Sequence, residues 1–252
     1  MKTAVVIPAR MGSSRVPGKP LARIRGMAMI EHIYKRIALA SDLEGVYVAT
    51  CDTEIQDAVE AFGGKAIMTA DTHQRASDRT AEAAEGLAVD IVCMVQGDEP
   101  LTHPAMIDLA VRPLIDDDSI LCSNLTSRIR SQQEFEDPNT VKVFLDQESC
   151  ALYFSREPIP TVRGEKGFYS DRPLYKQVCI IPFRREFLLK YVDLEPTPLE
   201  TAESIDMLRC LEHGYRVKMI ESDYVTHAVD TPEDLMLVEQ MMDDDELLQQ
   251  YA

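Results

Sequence analysis

The residues best suited to chemistry lie close to the start of the chain. Pro8-Ala9-Arg10-Met11-Gly12-Ser13-Ser14-Arg15-Val16-Pro17-Gly18-Lys19-Pro20 sets Arg10, Arg15 and Lys19 among glycines and serines. Small residues let backbone N–H groups approach phosphate oxygens closely, and the three cations neutralise those oxygens. The segment is not a Walker A loop. Five residues rather than four separate Gly12 from Gly18, and Pro20 stands where Ser or Thr would bind magnesium. It also lacks a GxGxxG pattern, which disfavours a dinucleotide site.

Two later motifs supply carboxylates. Gln96-Gly97-Asp98-Glu99-Pro100 follows the apolar run Ile91 to Val95 and so falls at a strand's carboxyl end, where open α/β sheets bind ligands. Magnesium takes one or two carboxylates together with phosphate oxygens, so Asp98 is a candidate ligand; the alternative is a turn residue before Pro100. In Val229-Asp230-Thr231-Pro232-Glu233-Asp234, Thr231 is the natural helix N-cap, with Pro232 in the first helical position and Asp234 in the third. Asp230 is then not needed for capping and can pair with Asp98 around a metal, unless it serves as the cap itself.

These groups must be positioned by a chain of 252 residues, 45% of them hydrophobic, long enough for a sizeable core. Short β-branched runs alternate with amphipathic stretches, the pattern of a largely parallel sheet covered by helices. Ala4 to Ile7, Val46 to Thr50 and Ile91 to Val95 read as buried strands. Ile120 to Cys122, Val141 to Leu145, Lys176 to Ile181 and Val217 to Ile220 are later candidates. Met29, Ile30, Ile33, Tyr34 and Ile37 repeat at helical spacing. Thr53-Glu54-Ile55-Gln56 predicts a capping box, and Gly63-Gly64 the end of that helix. Arg156 to Pro173, rich in Pro, Gly and charge, reads as a long loop. A single domain over 1–252 is the simplest organisation.

Composition narrows the function. A formal net charge of −17 argues against a nucleic-acid partner, whose phosphates it would repel. Positive charge is instead concentrated from Arg10 to Arg25, where Arg10, Arg15, Lys19, Arg23 and Arg25 occur with no acid among them. No apolar run approaches the ~20 residues of a membrane span, and the apolar N-terminal stretch is too short for a signal peptide. A cytoplasmic protein without a membrane partner is expected. The six cysteines form no CxxC pair and lie at no zinc spacing, which predicts free, mostly buried thiols. None of the five histidines falls in a triad-like motif, and none is assigned a catalytic role. A nucleotide-binding regulator without catalysis is the alternative from another class, and the acidic run Asp243 to Glu246 is either a solvated face or a docking surface.

Taken together, Arg10 to Leu21, Val95 to Pro100, Ala151-Leu152-Tyr153-Phe154-Ser155-Arg156 and Val229 to Leu235 closely resemble the CMP-KDO synthetases, the 3-deoxy-manno-octulosonate cytidylyltransferases. The likeness runs over nearly the whole chain in the family's order. It implies a Rossmann-like nucleotidyltransferase fold with a mostly parallel central sheet flanked by helices. It further implies CTP and a small acidic sugar-like substrate, two magnesium ions and a homodimer. By the same resemblance Arg10, Arg15 and Lys19 bind the triphosphate, and Gln96 meets the nucleotide. Asp98 and Asp230 hold the metal, and Arg156 and Glu200 belong to the sugar-acid pocket. Near the base the family's Gly-Thr-Glu-Arg is replaced by Ala76-Ser77-Asp78-Arg79, which keeps Arg79 and offers Ser77 beside it. In Lys176 to Ile181, Gln177 stands in place of His and Ile181 in place of Tyr, both facing the sugar acid in the family. A pocket without that imidazole and phenol discriminates its acceptor differently. The acceptor is therefore open between KDO, an amino-substituted KDO, another 2-keto-3-deoxy acid and a phosphonate. The implied reaction is attack of the acid's oxygen on the α-phosphorus of CTP, with Lys19, Arg15, Asp98 and Asp230 as the catalytic set.

Overall fold

A computed structural model describes residues 1–12, 16–161 and 174–252 of the chain. It divides into two compact units, residues 1–108 with 224–252, and residues 109–223.

The first unit is a parallel sheet with helices. In chain order it contains β1 (Thr3–Pro8), the short β2 (Arg23–Ile24) and β3 (Met27–Ala28), α1 (Met29–Ile37), β4 (Leu43–Thr50), α2 (Thr53–Ala61), β5 (Ala66–Met68), α3 (Ala76–Glu85) and β6 (Ile91–Val95). The strands run in the order β6-β1-β4-β5, every neighbouring pair parallel. Val5, Val6, Ile7, Ile91 and Val92 are completely buried, as befits strands covered on both faces. Parallel strands all end on one edge, so the loops after β1, β4, β5 and β6 emerge together. Helix α4 (Pro104–Asp116) carries the chain into the second unit.

That second unit contains β7 (Ser123–Arg128), α5 (Gln132–Glu136), β8 (Lys142–Leu145), β9 (Ala151–Ser155), β10 (Tyr175–Val178), β11 (Ile180–Arg184), α6 (Arg185–Val192), α7 (Pro198–Glu203), α8 (Met207–Glu212) and β12 (Lys218–Glu221). Its sheet runs β12-β7-β10-β8-β9; β12 and β7 are parallel and the rest antiparallel. The chain then returns to the first unit through α9 (Pro232–Met241) and α10 (Leu248–Tyr251).

Several local expectations shift. The capping box at Thr53 does not form: Thr53 is the first helical residue, and Asp52 occupies the N-cap without a capping side-chain bond. The Asp52 carboxylate is drawn instead to the backbone N–H of Met11, 2.7 Å away. The strand expected at Ile120 to Cys122 begins only at Ser123. The run from Lys176 to Ile181 is divided at Cys179 into β10 and β11, and Asn124 bridges the break by donating to the carbonyls of Val178 and Ile180. The helix stop at Gly63-Gly64 does form, with Gly63 at φ +82° and the Gly64 N–H returning to the Val59 carbonyl at 2.9 Å. Cys93, Cys122, Cys150 and Cys210 are buried thiols, and Cys51 and Cys179 are partly exposed. Among the described residues no helix is long and apolar enough to cross a membrane. Of the loop expected up to Pro173, residues 162–173 lie outside the described ones.

Lys142 is a buried cation of the second unit. It is 1% exposed, and its ammonium donates to the carbonyls of Asp137, Thr140 and Arg156 at 2.9, 2.6 and 2.6 Å. Lys142→Met removes the donor that three partly buried carbonyls share. The expected loss is about 3–5 kcal/mol of unfolding free energy in urea titration; a loss below about 1 kcal/mol would show that these carbonyls find water instead.

Candidate active site

Three parts of the first unit bring charge to one place. Lys19 opens a short 3₁₀ turn whose N-cap, Gly18, lies at φ +64°, a backbone conformation that glycine adopts without strain. The turn directs the Lys19 ammonium onto two carboxylates, 3.0 Å from Asp98 Oδ2 and 3.4 Å from Asp230 Oδ1. Lys19, Asp98 and Asp230 retain only 14%, 24% and 26% side-chain exposure, so solvent screens the three charges incompletely.

Each member is placed by its neighbours. Asp98 follows β6 through Gly97, where an added Cβ would meet the Pro8 carbonyl oxygen at 3.1 Å and Ile7 Cγ2 at 3.5 Å. The absence of a side chain at 97 thus lets the β6 loop lie against the end of β1. Asp230 is brought in by a hydrogen bond from the Val229 N–H to the Asp98 carbonyl at 2.8 Å. Thr231 caps α9 as the motif predicts: its hydroxyl accepts the Asp234 N–H at 3.2 Å, and the Asp234 carboxylate accepts the Thr231 N–H at 2.8 Å. Capping is therefore complete without the Asp230 carboxylate.

A cavity of about 390 Å³ opens beside this cluster. It is lined by Arg10, Gly12, Lys19, Gln96, Gly97, Asp98 and Asp230, together with His73, Gln74, Arg75, Ala76 and Arg79 from the segment around the start of α3. The structure thus brings together Arg10, Lys19, Arg79, Gln96, Asp98 and Asp230. Ser77 is fully buried and is not among the lining residues. Arg15 lies outside the described residues. Arg79, 3% exposed, is fixed through a guanidinium N–H to the Thr69 hydroxyl. His73, Gln74 and Arg75 carry no family motif in the sequence reading; proximity to Arg79 was their only signal. Asp52 was also missed as the acceptor that holds the backbone of Met11.

The donor set fits magnesium in kind. Two carboxylates converge on one point beside a cavity with Arg10 and Lys19, the ligand number magnesium takes when phosphate oxygens complete its shell. Among the described residues no group of three or more His, Cys, Asp or Glu could hold a metal without such oxygens.

The four acceptor candidates belong to the second unit. The Gln177 amide donates to Asn124 Oδ1 at 2.6 Å. Ile181 is 2% exposed. Glu200 is 1% exposed and takes both Arg209 Nε and Nη2, at 2.8 and 2.6 Å, while completing the capping box of Thr197. The Arg156 N–H donates to Glu203 Oε2 at 2.9 Å and its Nε to the Glu203 carbonyl at 2.6 Å. Glu203 also accepts the Ser155 and Tyr153 hydroxyls at 2.8 and 3.3 Å. The sequence reading missed Glu203, although it follows Glu200 by three residues, at helical spacing.

Comparison with known proteins places the chain in a family. Residues 4–221 match the family model described as cytidylyltransferase. A 3-deoxy-manno-octulosonate cytidylyltransferase of Geotalea uraniireducens (strain Rf4) is 48% identical over 242 residues, 93% of this chain and 96% of the relative. The enzyme of the same name from Geobacter metallireducens is 47% identical over 93% of this chain and 95% of its own length. A solved CMP:2-keto-3-deoxy-manno-octonic acid synthetase complexed with CTP superposes with a TM-score of 0.89 at 39% identity, covering 96% of this chain and 99% of that one.

The Glu203 contacts have a consequence for stability. Burial pushes its carboxyl pKa up, but the Arg156 N–H and the Ser155 and Tyr153 hydroxyls outweigh it and hold the group below its ordinary range. A depressed carboxyl pKa contributes stability that is present above the unfolded value and is lost as pH falls through the folded one. Glu203→Gln is therefore expected to be less stable than the parent by about 1 kcal/mol at neutral pH. The gap should close as pH falls below about 4.5, the ordinary value for this group; a gap independent of pH in denaturant titrations would refute the assignment.

Proposed function

The chain belongs to the cytidylyltransferase family and is a nucleotidyltransferase, and on that premise we propose that it transfers CMP from CTP to KDO with release of pyrophosphate. The observation that carries the proposal is the convergence of Lys19, Asp98 and Asp230 on a cavity also lined by Arg10, Gln96 and Arg79. The names of relatives that match over nearly the whole chain support KDO as acceptor.

In this reading Arg10 and Lys19 bind the triphosphate and offset its charge, and Arg15 joins them by its place in the motif. As the α-phosphorus is attacked and pyrophosphate departs, negative charge grows on the leaving oxygens. Cations already in position stabilise that charge without reorganising. Asp98 and Asp230 would hold magnesium, which supplies Lewis-acid polarisation of phosphate oxygens and lowers the pKa of a bound hydroxyl. Gln96 and Arg79 orient the nucleotide, and Ser77 belongs to the same helix start as Arg79. Gln177, Ile181, Arg156 and Glu200 belong to the acceptor side, and the enzyme works as a homodimer in the cytoplasm.

The alternative acceptor is an amino-substituted KDO or a phosphonate. Gln177 favours it, because it offers an amide where the family carries an imidazole. A pyrophosphate-release assay with CTP and each acid distinguishes the two; robust turnover of the phosphonate and none of KDO would overturn the KDO assignment.

Asp98→Asn keeps the shape of the side chain and removes its charge. It should lower magnesium-dependent pyrophosphate release by on the order of a hundredfold or more with thermal unfolding unchanged, and near-normal turnover would remove Asp98 from the centre. Gln177→His also replaces the amide that donates to Asn124. It is expected to change KM for KDO several-fold while KM for CTP stays in place; unaltered KDO kinetics would take Gln177 out of the acceptor pocket.

A further inference from the structure

His73 lines the nucleotide cavity, yet the reaction as described gives it no part. It stands in the irregular segment between β5 and α3, which also supplies Gln74 and Arg75 to the cavity wall. One side chain of α3 ties that segment down. Glu82 accepts the Ala70 N–H at 2.9 Å through Oε2 and at 3.2 Å through Oε1, and its Oε2 also pairs with His73 Nε2. Arg79, one turn earlier on the same helix, holds Thr69. The segment is thus tied to α3 at Thr69, Ala70 and His73.

The pairing sets the hydrogen-bonding character of the ring. Burial pushes the Glu82 carboxyl up, but the Ala70 amide and the His73 ring outweigh it and hold the group below the usual range. Glu82 is then an anion at neutral pH and can only accept. Glu82 accepts from Nε2–H, and in the neutral imidazole that tautomer leaves Nδ1 as an acceptor. No described residue hydrogen-bonds to Nδ1. His73 lines the cavity, and a ring nitrogen that acts as an acceptor there calls for a ligand with an N–H or O–H donor. Phosphate oxygens are acceptors and do not satisfy it.

We propose that Glu82 is a positioning residue that fixes the tautomer of His73, so that Nδ1 accepts a hydrogen bond from the nucleoside of CTP, from its 4-amino group or its ribose 2′-hydroxyl. The inference rests on the CTP reading above and deepens it. It separates a nucleoside end of the cavity, at His73, from a triphosphate end, at Lys19, Asp98 and Asp230.

The test uses the full chain, with steady-state kinetics and calorimetric CTP binding on His73→Ala, Glu82→Gln and the double variant. The glutamine of Glu82→Gln can keep its oxygen on the Ala70 amide. Its NH₂ then donates to Nε2 and drives the ring proton to Nδ1, turning the acceptor into a donor. Both single variants are expected to raise KM for CTP about tenfold, the size of one lost hydrogen bond with its unpaired partner, with a smaller change in kcat. The double variant should be no worse than the singles, because both remove one contact. A Glu82 that merely braced the segment would give Glu82→Gln a normal KM, which would overturn the proposal. UTP and 2′-deoxy-CTP identify the donor. Loss of the preference for CTP over UTP in His73→Ala points to the 4-amino group, and loss of the preference over 2′-deoxy-CTP points to the hydroxyl. An equal rise in KM for all three nucleotides would place the contact on the triphosphate and overturn the proposal. Wild-type protein that neither binds nor consumes CTP would overturn the CTP reading together with this one. Wild-type protein that consumes CTP, beside an unaffected His73→Ala, would overturn this one alone.

Discussion

The bridge from the Lys19 ammonium to Asp98 and Asp230 is the contact on which the first unit's chemistry depends. The three residues are separated by 79 and 211 positions along the chain. Two carboxylates that share one ammonium repel each other, and the cation between them offsets that cost. The same charges suit the reaction, because a phosphate-bound metal can use the two anions and a departing pyrophosphate can use the ammonium. Much of the local backbone serves this meeting. Gly18 turns the chain so that Lys19 faces inward, Gly97 lets the β6 loop lie on the end of β1, and the Val229 N–H ties Asp230 to the Asp98 backbone.

The chain carries a net charge of −17, and the substrate proposed for it is a polyanion. Several of its acids near the cavity are engaged as internal acceptors. Asp52 takes the N–H of Met11, Glu82 takes Ala70 and His73, and Asp234 takes the N–H groups of Asp230 and Thr231. Charge-assisted bonds from carboxylate to backbone N–H are short and directional. Each of these three fixes a loop that emerges from the sheet edge or enters α9. Anions that would repel a nucleotide from the surface thereby hold the cationic loops in place around it.

The second unit follows the same rule with different pairs. Glu203 gathers Arg156, Ser155 and Tyr153, Glu200 closes on Arg209, and Lys142 satisfies three carbonyls. Gln177 is held by Asn124, which also spans the break between β10 and β11. The departure from the family at position 177 is thus accommodated by an amide–amide bond that an imidazole would have to make differently.

Much of this was legible in the residues. The strands β1 and β6, the cap at Thr231 and the helix stop at Gly63-Gly64 follow from short-range patterns of apolar runs and capping chemistry. What failed locally failed for long-range reasons. Thr53 does not form its capping box, and the preceding Asp52, left without a capping bond, points its carboxylate at a backbone N–H 41 residues away. The run at Lys176 divides where Asn124 reaches in from another strand. His73, Glu82 and Glu203 carry no motif and become visible only through their partners. The sequence by itself determined the chemistry on offer, because residue type and spacing set charge, flexibility and helix ends. Tertiary structure alone decided which groups meet, because the parallel register of β6-β1-β4-β5 places loops distant in the chain along one edge.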